Sequence, residues 1–270
     1  MGKYPGQMPP VCLDDEGTWP VEVVTRLSDA FPLLKKYEEV REFYDRMGTV
    51  EYLLLEQPSN PHRVERDQII SDIQDAIYHR DLLGYHCTRL TNDEAELIIE
   101  HGLQPLTSEL IAHRIRARVC AGDLNDRDAD KLISQSGAAQ KNCAGKIWFV
   151  FTRSMLRDES GVGFLLGLWG GEATYGNHDD NIEIVSALRR IGFATLVEAA
   201  VPIAHIQNGM PVSERLVAAY LGRRDVQTRS GPEMDGHINC PVLPSRLITE
   251  TTPEFVALTG WDTWTGDIFR

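Results

Sequence analysis

The segment Gly84-Tyr-His-Cys-Thr-Arg-Leu-Thr91, followed by Asn92 to His101 and then by Gly102-Leu-Gln-Pro-Leu106, constrains the fold more than any other part of this chain. Tyr85 to Thr88 reads as a short strand. Side chains alternate along a strand, so His86 and Thr88 share one face while Cys87 points the other way, towards packing. Asn92 is placed to cap a helix running to His101, with Ala95, Leu97, Ile98 and Ile99 as its apolar face. Gly102 ends that helix, because a glycine takes positive φ freely. Two short polar groups side by side on a strand suit a sugar edge and a carboxamide, with the strand backbone supplying further hydrogen bonds. The plain structural alternative is a satisfied histidine at a strand end.

The flanking sequence sets the organisation. Residues 1–20 are rich in Pro and Gly and read as a loose arm. From Pro20 to Met47 apolar residues recur at three- and four-residue intervals, and Pro32 interrupts the run, which predicts two helices rather than one. Val50 to Leu55 is a short apolar run, Gln57 to Pro61 a loop, and Val64 to Leu82 another amphipathic helix. Residues 1–80 therefore read as a helical N-terminal cap, and 81–270 as a second domain. In that domain 108–137 look helical, Ile147 to Thr152 reads as a buried strand, and Leu196 to Ile206 as another. Helices and strands do not alternate regularly, so the expected class is α+β rather than a doubly wound α/β sheet.

Composition narrows the function classes. The chain has 270 residues, with 27 Lys and Arg against 40 Asp and Glu, for a net charge of −13. That excludes a general nucleic-acid coat, which needs a basic face, but not a nucleic-acid substrate met through a local patch such as His113 to Arg118. No window of 18 apolar residues predicts a membrane span, and Met1 to Asp15 lacks the apolar region of a secretory signal. The five scattered cysteines suit free thiols in a reducing, cytoplasmic setting. No Cys-X-X-Cys pair, dinucleotide fingerprint or phosphate-binding loop occurs, and no metal is expected. His79-Arg-Asp81 imitates a kinase catalytic loop, but the position of its asparagine is His86.

Gly84-Tyr-His-X-Thr88, a helix containing Ile98 and Ile99, and then His101-Gly-Leu-X-Pro-Leu106 resemble the opening of the ADP-ribosyltransferase superfamily, in its diphtheria-toxin and poly(ADP-ribose)-polymerase branch. Cys87 stands where that branch has glycine. The resemblance implies a split antiparallel sheet and NAD as the substrate cofactor. It also implies that His86 and Thr88 bind a ribose and its neighbour. Gly145-Lys-Ile-Trp-Phe-Val-Phe-Thr-Arg-Ser154 resembles the family's aromatic strand, which implies that Trp148, or Phe149 in the other register, stacks on nicotinamide, with Ser154 following. Arg89 and Arg153 are then candidates for the pyrophosphate, with surface salt bridging the alternative for each.

The family also requires a glutamate near the nicotinamide ribose. Glu172, in Leu168-Trp-Gly-Gly-Glu-Ala-Thr-Tyr175, is preferred because flanking glycines let backbone approach a ligand and the acid then emerges at a strand start. Glu198, inside an apolar strand, is the second candidate and would need a partner for its buried charge. Gly170, two residues before Glu172, is unlike the Glu or Gln of the arginine-modifying branch. The implied activity is transfer of ADP-ribose from NAD to a macromolecule, nucleic acid or protein, as in stand-alone bacterial toxins of toxin–antitoxin or phage-defence systems, with an antitoxin protein as an expected partner. Water as the acceptor, giving an NAD glycohydrolase, and a non-enzymatic binding module are the alternatives.

Overall fold

A computed structural model describes residues 8–46, 60–174 and 181–264, apart from the side chain of Glu172. In chain order the elements are α1 (Val21–Arg46), α2 (Arg63–Ile77), β1 (Asp81–Leu90), α3 (Asn92–His101), α4 (Ser108–Cys120), α5 (Asp126–Ser134), β2 (Ile147–Val150), α6 (Arg153–Leu156), α7 (Glu159–Gly167), α8 (Ile182–Arg190), β3 (Phe193–Pro202), α9 (Val212–Gly222), β4 (Asp235–Ile238), β5 (Pro244–Thr249) and α10 (Pro253–Thr259). The class is α+β. The apolar run expected at Val50 to Leu55 lies outside the described residues.

The chain divides into two compact units, the first comprising residues 1–82, 202–204 and 208–234, the second the remainder. The first unit is helical, but it is not one continuous stretch of sequence, since α9 belongs to it. Helix α2 packs against α1 and α9, burying Ile69, Ile70, Ile73 and Ile77. Arg66 binds Glu214 of α9 at 2.9 Å, and Arg26 of α1 binds Asp72 at 2.8 Å.

Two expectations are corrected in this unit. Helix α1 runs unbroken through Pro32. Val23, Leu27 and Ala30 before the proline and Leu34 after it are all buried, so packing along the helix outweighs a local penalty of about 3 kcal/mol. The arm is not loose in its described part: Val11, Leu13 and Trp19 are buried, Val11 N donates to the Asp81 carbonyl at 2.8 Å, and Trp19 Nε1 donates to the Cys12 carbonyl at 2.7 Å.

The second unit is built on a five-stranded sheet in the order β4-β2-β1-β3-β5. β1 runs antiparallel to β2, β2 to β4, and β3 to β5. One core lies on the sheet and joins Tyr85, Cys87, Leu166, Leu196, Ile248 and Phe255. A second is helical, around Ile111, Ile115, Leu132, Trp169, Ile184 and Leu188. Helix α3 follows β1 through a capping box in which Thr91, not Asn92, is the N-cap: its hydroxyl accepts from Glu94 N while the Glu94 carboxylate accepts from Thr91 N. The expected apolar face of α3 is not buried. Leu97 and Ile99 are exposed, and the buried residue of the helix is Glu94.

Candidate active site

A cavity of about 560 Å³ in the second unit collects residues from β1, α3, α4, β2, α7 and the turn after α7. It lies beside the β1–β2 seam of the sheet. Four consecutive pairs, Ile147↔Ile238 to Val150↔Asp235, tie β2 to β4, whereas β1 and β2 are in register at Tyr85↔Val150 alone among the described residues. Tyr85 and Cys87 from one face of β1, and His86 and Thr88 from the other, all line the cavity. The edge of β1 is therefore a wall of the cavity as well as a seam in the sheet.

At the end of the seam a side chain takes the place of a ladder bond. His86 Nδ1 lies 2.9 Å from the Trp148 carbonyl oxygen, so Nδ1 carries the hydrogen and donates it. Burial and the nearby Arg114 charge hold the His86 pKa below its ordinary value, against the raising effect of the Trp148 bond. The ring is thus neutral near pH 7, with Nε2 an acceptor that has no partner among the described residues. Phe149 is buried with its ring 6.1 Å from the His86 ring, edge to face. Trp148 points the other way, as strand alternation requires. It is exposed, its Nε1 donates to the Asn142 carbonyl at 2.8 Å, and its ring lies 4.6 Å from that of His237. His86, Thr88, Trp148 and Phe149 all line the cavity.

Three expected residues lie elsewhere. Arg89 is buried in the fold, donating to the carbonyls of Ile191, Leu166 and Gly192 at 3.1, 3.1 and 2.7 Å. Arg153 and Ser154 are exposed on the first turn of α6, and the Ser154 hydroxyl donates to the Thr152 hydroxyl at 3.4 Å. None of the three lines the cavity.

Of the two glutamates, the Glu172 backbone sits in a short 3₁₀ turn, Gly171–Ala173, rather than at a strand start. Gly170 (φ 89°) and Gly171 (φ 56°) are left-handed, and Gly170, Gly171 and Ala173 line the cavity. A Cβ on Gly170 would stand 2.5 Å from the Thr174 side chain, so only glycine fits there. Glu198 is buried on β3, where both carboxylate oxygens accept from Arg246 at 2.8 Å; it does not line the cavity.

Sequence reasoning missed a polar cluster on the cavity wall. Glu94 accepts from Thr91 N at 2.9 Å, Arg114 Nε at 2.8 Å and Trp169 Nε1 at 2.9 Å. Burial alone would raise the Glu94 pKa, but Arg114, Thr91 and Trp169 outweigh it and hold the carboxyl below its ordinary range. The Arg114 guanidinium lies over the Trp169 ring, 5.0 Å from its centroid. The Thr-X-X-Glu spacing at Thr91 was the one local signal pointing here.

The basic run on α4 is charge-matched rather than open: Arg116 pairs with Asp130 and Arg118 with Asp123. Among the described residues no group of three His, Cys, Asp or Glu side chains is arranged to hold a metal ion, and no helix is long and apolar enough to cross a membrane. The five cysteines are free thiols. No protein-family model matches this chain, and neither does any curated protein or solved structure.

Proposed function

We propose that this chain is a mono-ADP-ribosyltransferase that moves ADP-ribose from NAD to a macromolecular acceptor, nucleic acid or protein, in the cytoplasm, as a toxin restrained by an antitoxin. The observation that carries the reading is the convergence of His86 and Thr88 with Trp148 and Phe149 on one cavity, beside the glycine turn that bears Glu172. A volume of about 560 Å³ is within the usual range for ligand pockets.

In this reading the nicotinamide–ribose C–N bond breaks and its electron pair leaves with nicotinamide, while positive charge develops on the ribose as in glycoside cleavage. The neutral His86 accepts a ribose hydroxyl proton at Nε2 in a hydrogen bond, and the Glu172 carboxylate stabilises the developing charge through the 2′-hydroxyl. An acceptor oxygen or nitrogen then bonds to the ribose carbon, and its proton passes to Glu172 or to solvent. Phe149, against the His86 ring, supports the nicotinamide site.

The test is incubation with labelled NAD and cell lysate, followed by separate nuclease and protease digestion. Label in a macromolecule is expected, and its loss to one digestion identifies the acceptor class. Release of free ADP-ribose with no labelled macromolecule would replace the transferase reading with the glycohydrolase one.

A further inference from the structure

The cavity contains one arginine, Arg114, and one lysine, Lys146, among its lining residues. The two arginines first considered for a pyrophosphate are outside that wall: Arg89 is bonded to backbone carbonyls, and Arg153 is exposed on α6. Arg114 is held differently. Its Nε is fixed by Glu94 at 2.8 Å and its plane by Trp169 at 5.0 Å. The far edge of the guanidinium, Nη1 and Nη2, makes no hydrogen bond among the described residues, and Nη2 is buried without a partner.

Nη2 is enclosed, so the nitrogen open to a ligand oxygen is Nη1, and a charged N–H without a partner gains free energy when an anion supplies one. The guanidinium is already oriented by Glu94 and Trp169, so little rotamer entropy is lost when an anion binds. The accessible Nη1 presents a charge-assisted N–H to an oxygen of a phosphoryl group. In NAD the anionic part is the pyrophosphate. From this geometry we infer that Arg114 is the pyrophosphate-binding residue of the cavity, with Glu94 a positioning residue that aims it. The inference rests on the NAD reading above.

The test is calorimetric titration of the full chain and of Arg114→Lys with NAD, ADP-ribose and nicotinamide. Lysine keeps a charge for Glu94 but removes the planar guanidinium and its Nη1. The variant is expected to lose about tenfold or more in affinity for NAD and ADP-ribose, the weight of one charge-assisted contact, with nicotinamide affinity unchanged. Equal NAD affinity in the two proteins would overturn the role of Arg114 while leaving the NAD reading standing. An unaltered chain that binds neither NAD nor ADP-ribose would overturn both. Should the variant fold poorly, competition on the unaltered chain decides: inorganic pyrophosphate is expected to displace labelled NAD, and no displacement counts against the inference.

Discussion

His86 Nδ1 and the Trp148 carbonyl oxygen meet at 2.9 Å where the β1–β2 ladder stops. That contact fixes the tautomer, and burial keeps the ring neutral. A histidine whose folded pKa is lowered binds fewer protons folded than unfolded, so stability rises with pH until the unfolded value near 6.5 is passed. We expect the His86 imidazole to titrate below the ordinary histidine value by NMR. The stability difference between the wild-type chain and His86→Gln should shrink as pH falls below about 6.5. A protonated His86 ring at pH 7 would refute the neutral assignment.

Glu94 carries three donors from β1's end, α4 and the helical core. Glu94→Ala should lower stability by about 3 kcal/mol, because Arg114 and Trp169 Nε1 lose their buried partner. The Glu94 pKa is lowered in the folded chain, so its contribution is complete above the unfolded carboxylate range and fades as pH falls through the folded value. Denaturant titrations at pH 7 and pH 4 measure both effects, and the mutational cost should be smaller at the lower pH.

Arg89 and Arg114 should separate cleanly. Arg89→Gln is expected to cost about 2–3 kcal/mol of stability, since it strips a charged donor from three buried carbonyls, without changing the affinity of the folded protein for NAD. A selective loss of NAD binding with unaltered stability would return Arg89 to the site.

Gly84 faces Phe151 and Phe149, and a Cβ there would lie 2.8 and 3.2 Å from their ring carbons. Gly84→Ala should therefore destabilise by about 1–3 kcal/mol through overpacking. Because Phe149 lies against His86, the same change should also weaken nicotinamide binding. Thermal unfolding and nicotinamide titration on one preparation test the two effects together.

The two glutamates predict opposite phenotypes. Glu172→Gln should abolish transfer of label from NAD with the unfolding midpoint unchanged. Glu198→Gln removes the buried charge that faces the exposed Arg246, so it should cost about 1 kcal/mol of stability while the folded protein keeps its activity. Activity lost from Glu198→Gln at full stability would transfer the catalytic assignment to Glu198.

How much of this was legible in the sequence depends on the range of the interaction. Local signals are legible: a strand through His86, the helix after it and its end at Gly102, where φ is 79°, follow from alternation and glycine chemistry, although β1 runs Asp81–Leu90 and takes in Leu82, expected to close the preceding helix. Pro32 misled because a helix-breaking rule is local while the burial that overrides it comes from α2 and α9. The family resemblance makes Arg89 a pyrophosphate candidate but says nothing of where its guanidinium packs. With β1 continuing to Leu90, Arg89 falls on the Cys87 face, and its guanidinium meets carbonyls from residues far along the chain. Arg114 and Trp169 were invisible for the same reason: what joins them to Glu94 is tertiary packing between α3, α4 and the turn after α7, and charge patterning on α4 alone predicts a solvated face.

The discontinuity of the first unit has a practical consequence for anyone dissecting the chain. A cut before Leu83 removes α1 and α2 but leaves α9 attached through residues 202–234. Leu216, Val217 and Tyr220, buried in the whole chain, would then lose the helices that cover them and become a sticky surface on the fragment. Deleting the N-terminal helices is thus a route to aggregation rather than to a free second unit, and a clean separation of the units needs two excisions and a short bridging segment in place of residues 208–234.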